Sequence, residues 1–435
     1  MSKMDNALRR RVDPGPRRMG GVARLSETFE LPAVAGDRLT DRISIGVLAR
    51  VVPRDVVDEV LAETRRLEQR TRSLPARVVV YFTMAMCLFF EDDREEVIRR
   101  LVGTLRWLGS WKTEWKIPTT GAISQARVRL GAEPVKLLFE RVAVPVAGLG
   151  TKGAWLGSRR LMAIDGFQLD VADTAENAEE FGRSTNGPKA AAFPQAMVVA
   201  LAECGTHTIV GAAIGGCLGD ERSLAAPLLD TCEPGILLTT DEAFYGFDLW
   251  RRFAATGADL LWRVNSLLTL PVIKALPNGS YLSLLIDPKI PVAKRGPLIA
   301  AARAGNPPPT STALPVRVIE YSIADSDTRG PSELICLIST VIDHTDTAAI
   351  ELATAYHERW EIENIFDETK THQRGDKRTL RSKKPELVKQ EIWALLLTHY
   401  AIRTLMTQAA DEADADPDRL SFMRTLRIIR RQVTD

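Results

Sequence analysis

The chain has 435 residues, 45% of them hydrophobic and 26% charged, enough for two or three domains with sizeable cores. The sequence contains no apolar run of 18 residues and no apolar core behind its N-terminal Met, so a membrane span and a secretory signal are not expected, and the chain reads as cytoplasmic. The net charge of +1 masks an asymmetry: residues 1–150 hold 26 Lys and Arg against 19 Asp and Glu (+7), which leaves −6 for the rest. Such a distribution permits a local nucleic-acid patch without demonstrating one. Five cysteines without a CxxC pair read as reduced, mostly buried thiols, and the five histidines form no triad or zinc set.

Residues 1–37, rich in Arg, Gly and Pro, read as a flexible basic leader. Residues 38–147 read as an all-α domain. A helix opens after Pro53 with acids in its first turn, an apolar run over 74–90 supplies the buried central helix, and 95–108 and 120–142 give two amphipathic helices. The last of these displays Gln125, Arg127 and Arg129, side chains able to read a major groove. On this stretch alone an amphipathic surface helix with solvated arginines is the better reading.

After a Gly-rich linker at 148–153 the pattern changes to strands. Residues 160–173 read as two strands around a turn at Gly166, with Asp165 ending the first. A hairpin at 195–213, a short helix at 220–229, a buried strand ending in Asp241, a helix at 243–256 and a strand at 259–265 follow. The order β-β-β-α-β-α-β, with later helices, matches an α/β ribonuclease-H-like mixed sheet. Residues 266–345, strand-rich and broken by Gly and Pro, read as a β-rich insertion, and 155–435 as one catalytic domain. Trp262, in an apolar strand, reads as core.

Residues 355–370 are helix-compatible. At about 100° per residue, Tyr356, Arg359, Glu363 and Lys370 fall within roughly 60° of one another. Alone, this stripe reads as a salt-bridged surface face. Combined with Asp165 and Asp241 at the ends of neighbouring strands, it becomes a three-carboxylate cluster. Such acids repel unless divalent cations neutralise them, and hard oxygen donors suit Mg²⁺ or Mn²⁺, with two ions the expected number. Asp367 rivals Glu363 as the third acid, and Asp170 and Asp173 rival Asp165. The basic run 371–384 reads as a phosphate-positioning loop because it adjoins this site.

The spacing Tyr356-x2-Arg359-x3-Glu363-x6-Lys370, with Asp165-Gly and Thr240-Asp241, resembles the signature of bacterial DDE transposases of the insertion-element-4 family. The similarity covers roughly Leu39 to Ile429, including Gln125-Ala-Arg-Val-Arg-Leu-Gly in the helical part. It implies that Asp165, Asp241 and Glu363 are catalytic metal ligands, that Tyr356, Arg359 and Lys370 contact phosphates, and that the helical domain binds DNA, with Arg127 and Arg129 as its candidates. It further implies cut-and-paste transposition at terminal inverted repeats of double-stranded DNA, a homodimer on paired ends, and a nucleoid-associated bacterial protein. Members of the family usually continue past Asp435 with a basic tail, so a truncated, non-autonomous DNA-binding repressor is the alternative expectation.

Overall fold

The computed structural model describes residues 45–68, 74–107, 117–185, 191–323, 333–375 and 379–434. The basic leader expected at 1–37 lies outside them. The helical region comprises α1 (Arg54–Glu63), α2 (Ala76–Leu88), α3 (Arg94–Trp107), α4 (Thr120–Leu130) and α5 (Glu133–Val142). As the composition of its run requires, α2 is buried at every position but Arg77. The single helix expected over 120–142 is two, because Gly131 takes φ +76 and ends α4.

Strands β1 (Trp155–Leu156) and β2 (Arg159–Asp170) open the α/β part, followed by α6 (Ala175–Phe181), β3 (Gln195–Glu203) and β4 (Thr208–Gly216). Next come α7 (Glu221–Ala225), β5 (Ile236–Thr240), α8 (Phe247–Ala254) and β6 (Asp259–Val264). The order β4-β3-β2-β5-β6, with β2, β5 and β6 parallel and β3 antiparallel to β2, is the ribonuclease-H-like arrangement. The short parallel strands β5 and β6 are nearly continuous apolar runs, as strands covered on both faces should be. Trp262 is fully buried on β6, edge-on to Trp250 of α8 with ring centroids 5.2 Å apart.

One expectation fails at β2. Residues 159–170 form one twelve-residue strand instead of two around Gly166, because every residue from Met162 to Asp170 pairs with β3. At Gly166 the backbone approaches Glu221 closely: a Cβ there would lie 3.0 Å from Glu221 Oε2 and would ask that carboxylate to shift slightly.

The insertion extends the same sheet. Strands β7 (Lys274–Ala275), β8 (Tyr281–Ile286), β9 (Ala313–Ile323) and β10 (Glu333–Ser339) continue it, β10 pairing antiparallel with β6. It also holds a helix, α9 (Val292–Arg303), with no buried residue, which an expectation of strands did not include.

The chain closes with α10 (Ala349–His357), a 3₁₀ turn at 358–360, α11 (Glu361–Asp367), a π turn at 368–372, the 28-residue α12 (Pro385–Glu412) and α13 (Phe422–Thr434). Long as it is, α12 is not apolar enough to cross a membrane, nor is any other helix among the described residues. It packs against α2, α5 and β4, so the helical region and the sheet share one hydrophobic core.

Candidate active site

The register of the parallel pair β2–β5 brings two acids together. Ala163 faces Thr239, so the same register carried two residues further sets Asp165 level with Asp241. Asp165 therefore lies inside a strand, continued by its pairing to β3, at the level where β5 stops. Asp241 follows β5 directly, and its Oδ1 accepts the Ala243 amide at 2.9 Å, which holds the turn after the strand. The third acid, Glu363, is exposed on α11. Phe366 anchors that helix to β2, its ring centroid 4.4 Å from that of Phe167.

The three carboxyls share one electrostatic neighbourhood. Burial is the main cause that pushes Asp165 up to about 6; Asp241 and Glu363 push the same way, while the Gly166 amide and Arg359 pull it down. Glu363 is also raised, first by desolvation, against Arg359 and with Asp241. Carboxyls raised partly by a neighbouring acid, as Asp165 and Glu363 are, suit a divalent cation, and all the donors are oxygen.

The signature helix is not a uniform spiral. It passes from α to 3₁₀ at 358–360, back to α, then to π at 368–372, so 100° per residue does not hold along it. The tight turn buries Arg359, whose Nη1 donates to Asp165 Oδ2 at 3.1 Å while its Nε has no partner. Tyr356 is buried beside it, with a hydroxyl that lacks a hydrogen bond. Its pKa is pushed up to about 12, mainly by burial. Lys370 is exposed on the π turn.

The rival acids have other partners. Asp367 lies 3.6 Å from His372, Asp170 accepts from Gln195, and Asp173 pairs with Arg183. Sequence reasoning missed Glu221, which lies beside Gly166 and is raised by desolvation and by Asp241. In the sequence it is only a first-turn acid after the cap Asp220, a pattern common to helix starts.

Two basic candidates are corrected. Arg127 is fully buried: it donates to Gln390 Oε1, Ser382 Oγ and the Leu387 carbonyl at 2.8–3.1 Å. A guanidinium enclosed in this way has no route to a DNA phosphate. Arg129, on the same helix, is exposed. In the loop after the signature, Arg381 donates to the carbonyls of Asp92 and Met86, and Arg374 is buried over Phe90, so part of the basic run serves packing. Lys383 and Lys384 are exposed, and 376–378 lie outside the described residues.

A ribonuclease-H-like sheet with one acid within a strand, a second just after the adjacent parallel strand and a third on a following helix fits the DDE class of nucleic-acid enzymes. The profile of the transposase DDE domain matches residues 156–400, and that of the insertion element 4 transposase N-terminal region matches residues 42–140. The chain belongs to the insertion-element-4 family of DDE transposases, enzymes of DNA transposition that generally use divalent metal ions. It is 27% identical to the transposase InsG for insertion sequence element IS4 of Escherichia coli (strain K12), over 87% of this chain and 80% of that one. A putative transposase, InsZ, of the same organism is 27% identical over 50% of this chain and 71% of its own length. Among solved structures, a piggyBac transposase synaptic complex with hairpin DNA aligns over 89% of this chain and 79% of that one, with 12% identity and a TM-score of 0.44.

Proposed function

We propose that the protein cuts double-stranded DNA at the terminal inverted repeats of an insertion sequence and joins the freed 3′ ends to target DNA, with Asp165, Asp241 and Glu363 holding Mg²⁺ or Mn²⁺. The observation that carries this reading is the placement of three acids, from β2, the end of β5 and α11, at one end of the sheet, with Arg359 seated on the first of them. Divalent ions held by these three carboxylates would supply Lewis-acid activation for phosphodiester cleavage. The protein's own groups position the strand. Arg359 holds Asp165 in place with a positive charge beside it, and its enclosed Nε becomes a phosphate donor only if the 3₁₀ turn at 358–360 opens. The unpartnered Tyr356 hydroxyl offers a second donor, and the exposed Lys370 a mobile point charge. Arg129, Lys383 and Lys384 face solvent and suit backbone contacts farther along the duplex. The proposed assembly is a homodimer on two paired ends.

The test is incubation of the full chain with a duplex carrying the element's end. Nicking that frees a 3′-hydroxyl is expected with Mg²⁺ or Mn²⁺ and not with chelator. Specific binding without cleavage under every metal condition would instead favour a DNA-binding repressor. Tyr356→Phe is expected to slow cleavage about tenfold, the loss of one charge-assisted hydrogen bond, without lowering the melting temperature. Thermal melts beside single-turnover assays check both halves, and a large drop in melting temperature would make the hydroxyl structural.

A further inference from the structure

We propose that His207, Glu361 and Asp418 form a second, structural site for a divalent transition-metal ion of the Zn²⁺ type, on the buried side of the helix that exposes Glu363. Three segments far apart in sequence meet there: the β3–β4 turn, α11, and the 3₁₀ turn Pro417–Arg419 that precedes α13. Among the described residues this is the group of His, Cys, Asp and Glu side chains whose ligand atoms all lie within 4.8 Å of one another. The histidines, uninformative in the sequence, thus contribute one to a cluster that only the fold assembles.

The geometry fits an ion. His207 Nε2 lies 3.0 Å from Asp418 Oδ1 and 3.7 Å from Glu361 Oε2. A tetrahedral ion with bonds of about 2.1 Å holds its ligand atoms about 3.4 Å apart, between these two values. The ring is 4% exposed, and Nε2 is enclosed with no well-formed hydrogen bond of its own, its near neighbour being Asp418 Oδ1 at 3.0 Å. His207 also takes φ +60, a costly backbone for a residue with a Cβ, in the turn that presents it. Glu361, 7% exposed, is fixed by accepting the Gly205 amide.

The surroundings complete the case. Nδ1 faces Glu368 Oε1 at 3.6 Å, the carboxylate partner that a ligating imidazole uses to hold its tautomer. Arg403 Nη2 donates to Glu368 Oε1 and lies 2.5 Å from Nδ1, which accepts from it here; an ion on Nε2 requires Nη2 to swing off Nδ1, while Arg403 Nε keeps its bond to Glu368 Oε2. The side chain of Asp418 is 37% exposed and gives a way in. An imidazole in the donor set separates this site from the all-oxygen catalytic acids and favours Zn²⁺ over Mg²⁺.

The test uses the full chain carrying Asp165→Asn, Asp241→Asn and Glu363→Gln, which silences the catalytic acids. After chelator stripping it is titrated with Zn²⁺, and with Co²⁺ as a visible-absorption probe. One equivalent of each ion is expected, with four-coordinate Co²⁺ bands and a raised melting temperature. His207→Ala and Asp418→Ala in that background are each expected to weaken Zn²⁺ binding at least tenfold. Asp418, being partly exposed, decides the matter if the His207 variant does not fold. No bound equivalent in the silenced parent, or unchanged affinity in either folded variant, overturns the site and leaves a proton-bearing polar cluster.

Discussion

Asp165→Asn and Glu363→Gln should each lower cleavage of an element-end duplex by about 10³-fold or more while leaving duplex binding within a few-fold of the parent. Each change keeps the side chain's size and removes its charge, so it deletes a metal ligand worth several kcal/mol of transition-state stabilisation without opening a cavity. Asp165→Asn carries a second signature. Its folded pKa, about 6, stands above the ordinary carboxylate value near 4, so the metal-free fold binds a proton there that the unfolded chain has already lost. The folded protein therefore loses stability as pH rises from about 4 to about 6, by about 3 kcal/mol in all. In chelator, the Asn variant should melt higher than the parent at pH 8 and match it near pH 3.5. Adding Mg²⁺ should stabilise the parent and not the variant. Retained cleavage would sink the catalytic assignment; equal melting at pH 8 would sink the account of Asp165's burial.

The sheet was legible in the sequence for a physical reason, and the three candidate acids could be nominated from it. Apolar runs that lead into Asp165 and Asp241, and a Tyr/Arg/Glu/Lys spacing on a helix, are local patterns that survive without knowledge of packing. What was not legible depends on long-range pairing. The unbroken β2 is set by its partner β3, which overrides the turn signal of Gly166. The changes of winding through 358–372 are forced by where Arg359, Phe366 and Glu368 pack, and nothing in their spacing announces a 3₁₀ or a π turn. Glu221 and His207 belong to the same class. Each reads as an ordinary turn or cap residue until the fold sets it beside its neighbours. Arg127 is the sharpest instance, since periodicity cannot tell a helix face turned to solvent from one turned to α12.

That distinction makes Arg127→Ala the largest expected loss of stability. The side chain donates to Gln390 Oε1, Ser382 Oγ and the Leu387 carbonyl, while Gln390 returns bonds to the carbonyls of Arg127 and Gly131. Burial pulls the guanidinium down to about 10 against the pull of Glu391, so it stays charged at neutral pH. Truncation leaves three acceptors and the carboxylate of Glu391 enclosed without that cation, which costs about 3 kcal/mol or more. Because α4 then keeps only the Gln390 bonds to its carbonyls from this tie to α12, the helical region should loosen from the catalytic sheet, seen as a lower urea midpoint and faster amide exchange in α4. Arg129→Ala is the matched control: exposed, it should leave the midpoint unchanged while weakening DNA binding several-fold and lowering the salt slope by about one. A stable Arg127→Ala protein with weakened DNA binding would return Arg127 to the DNA interface; a destabilised one places the coupling of helical region and sheet in this buried guanidinium.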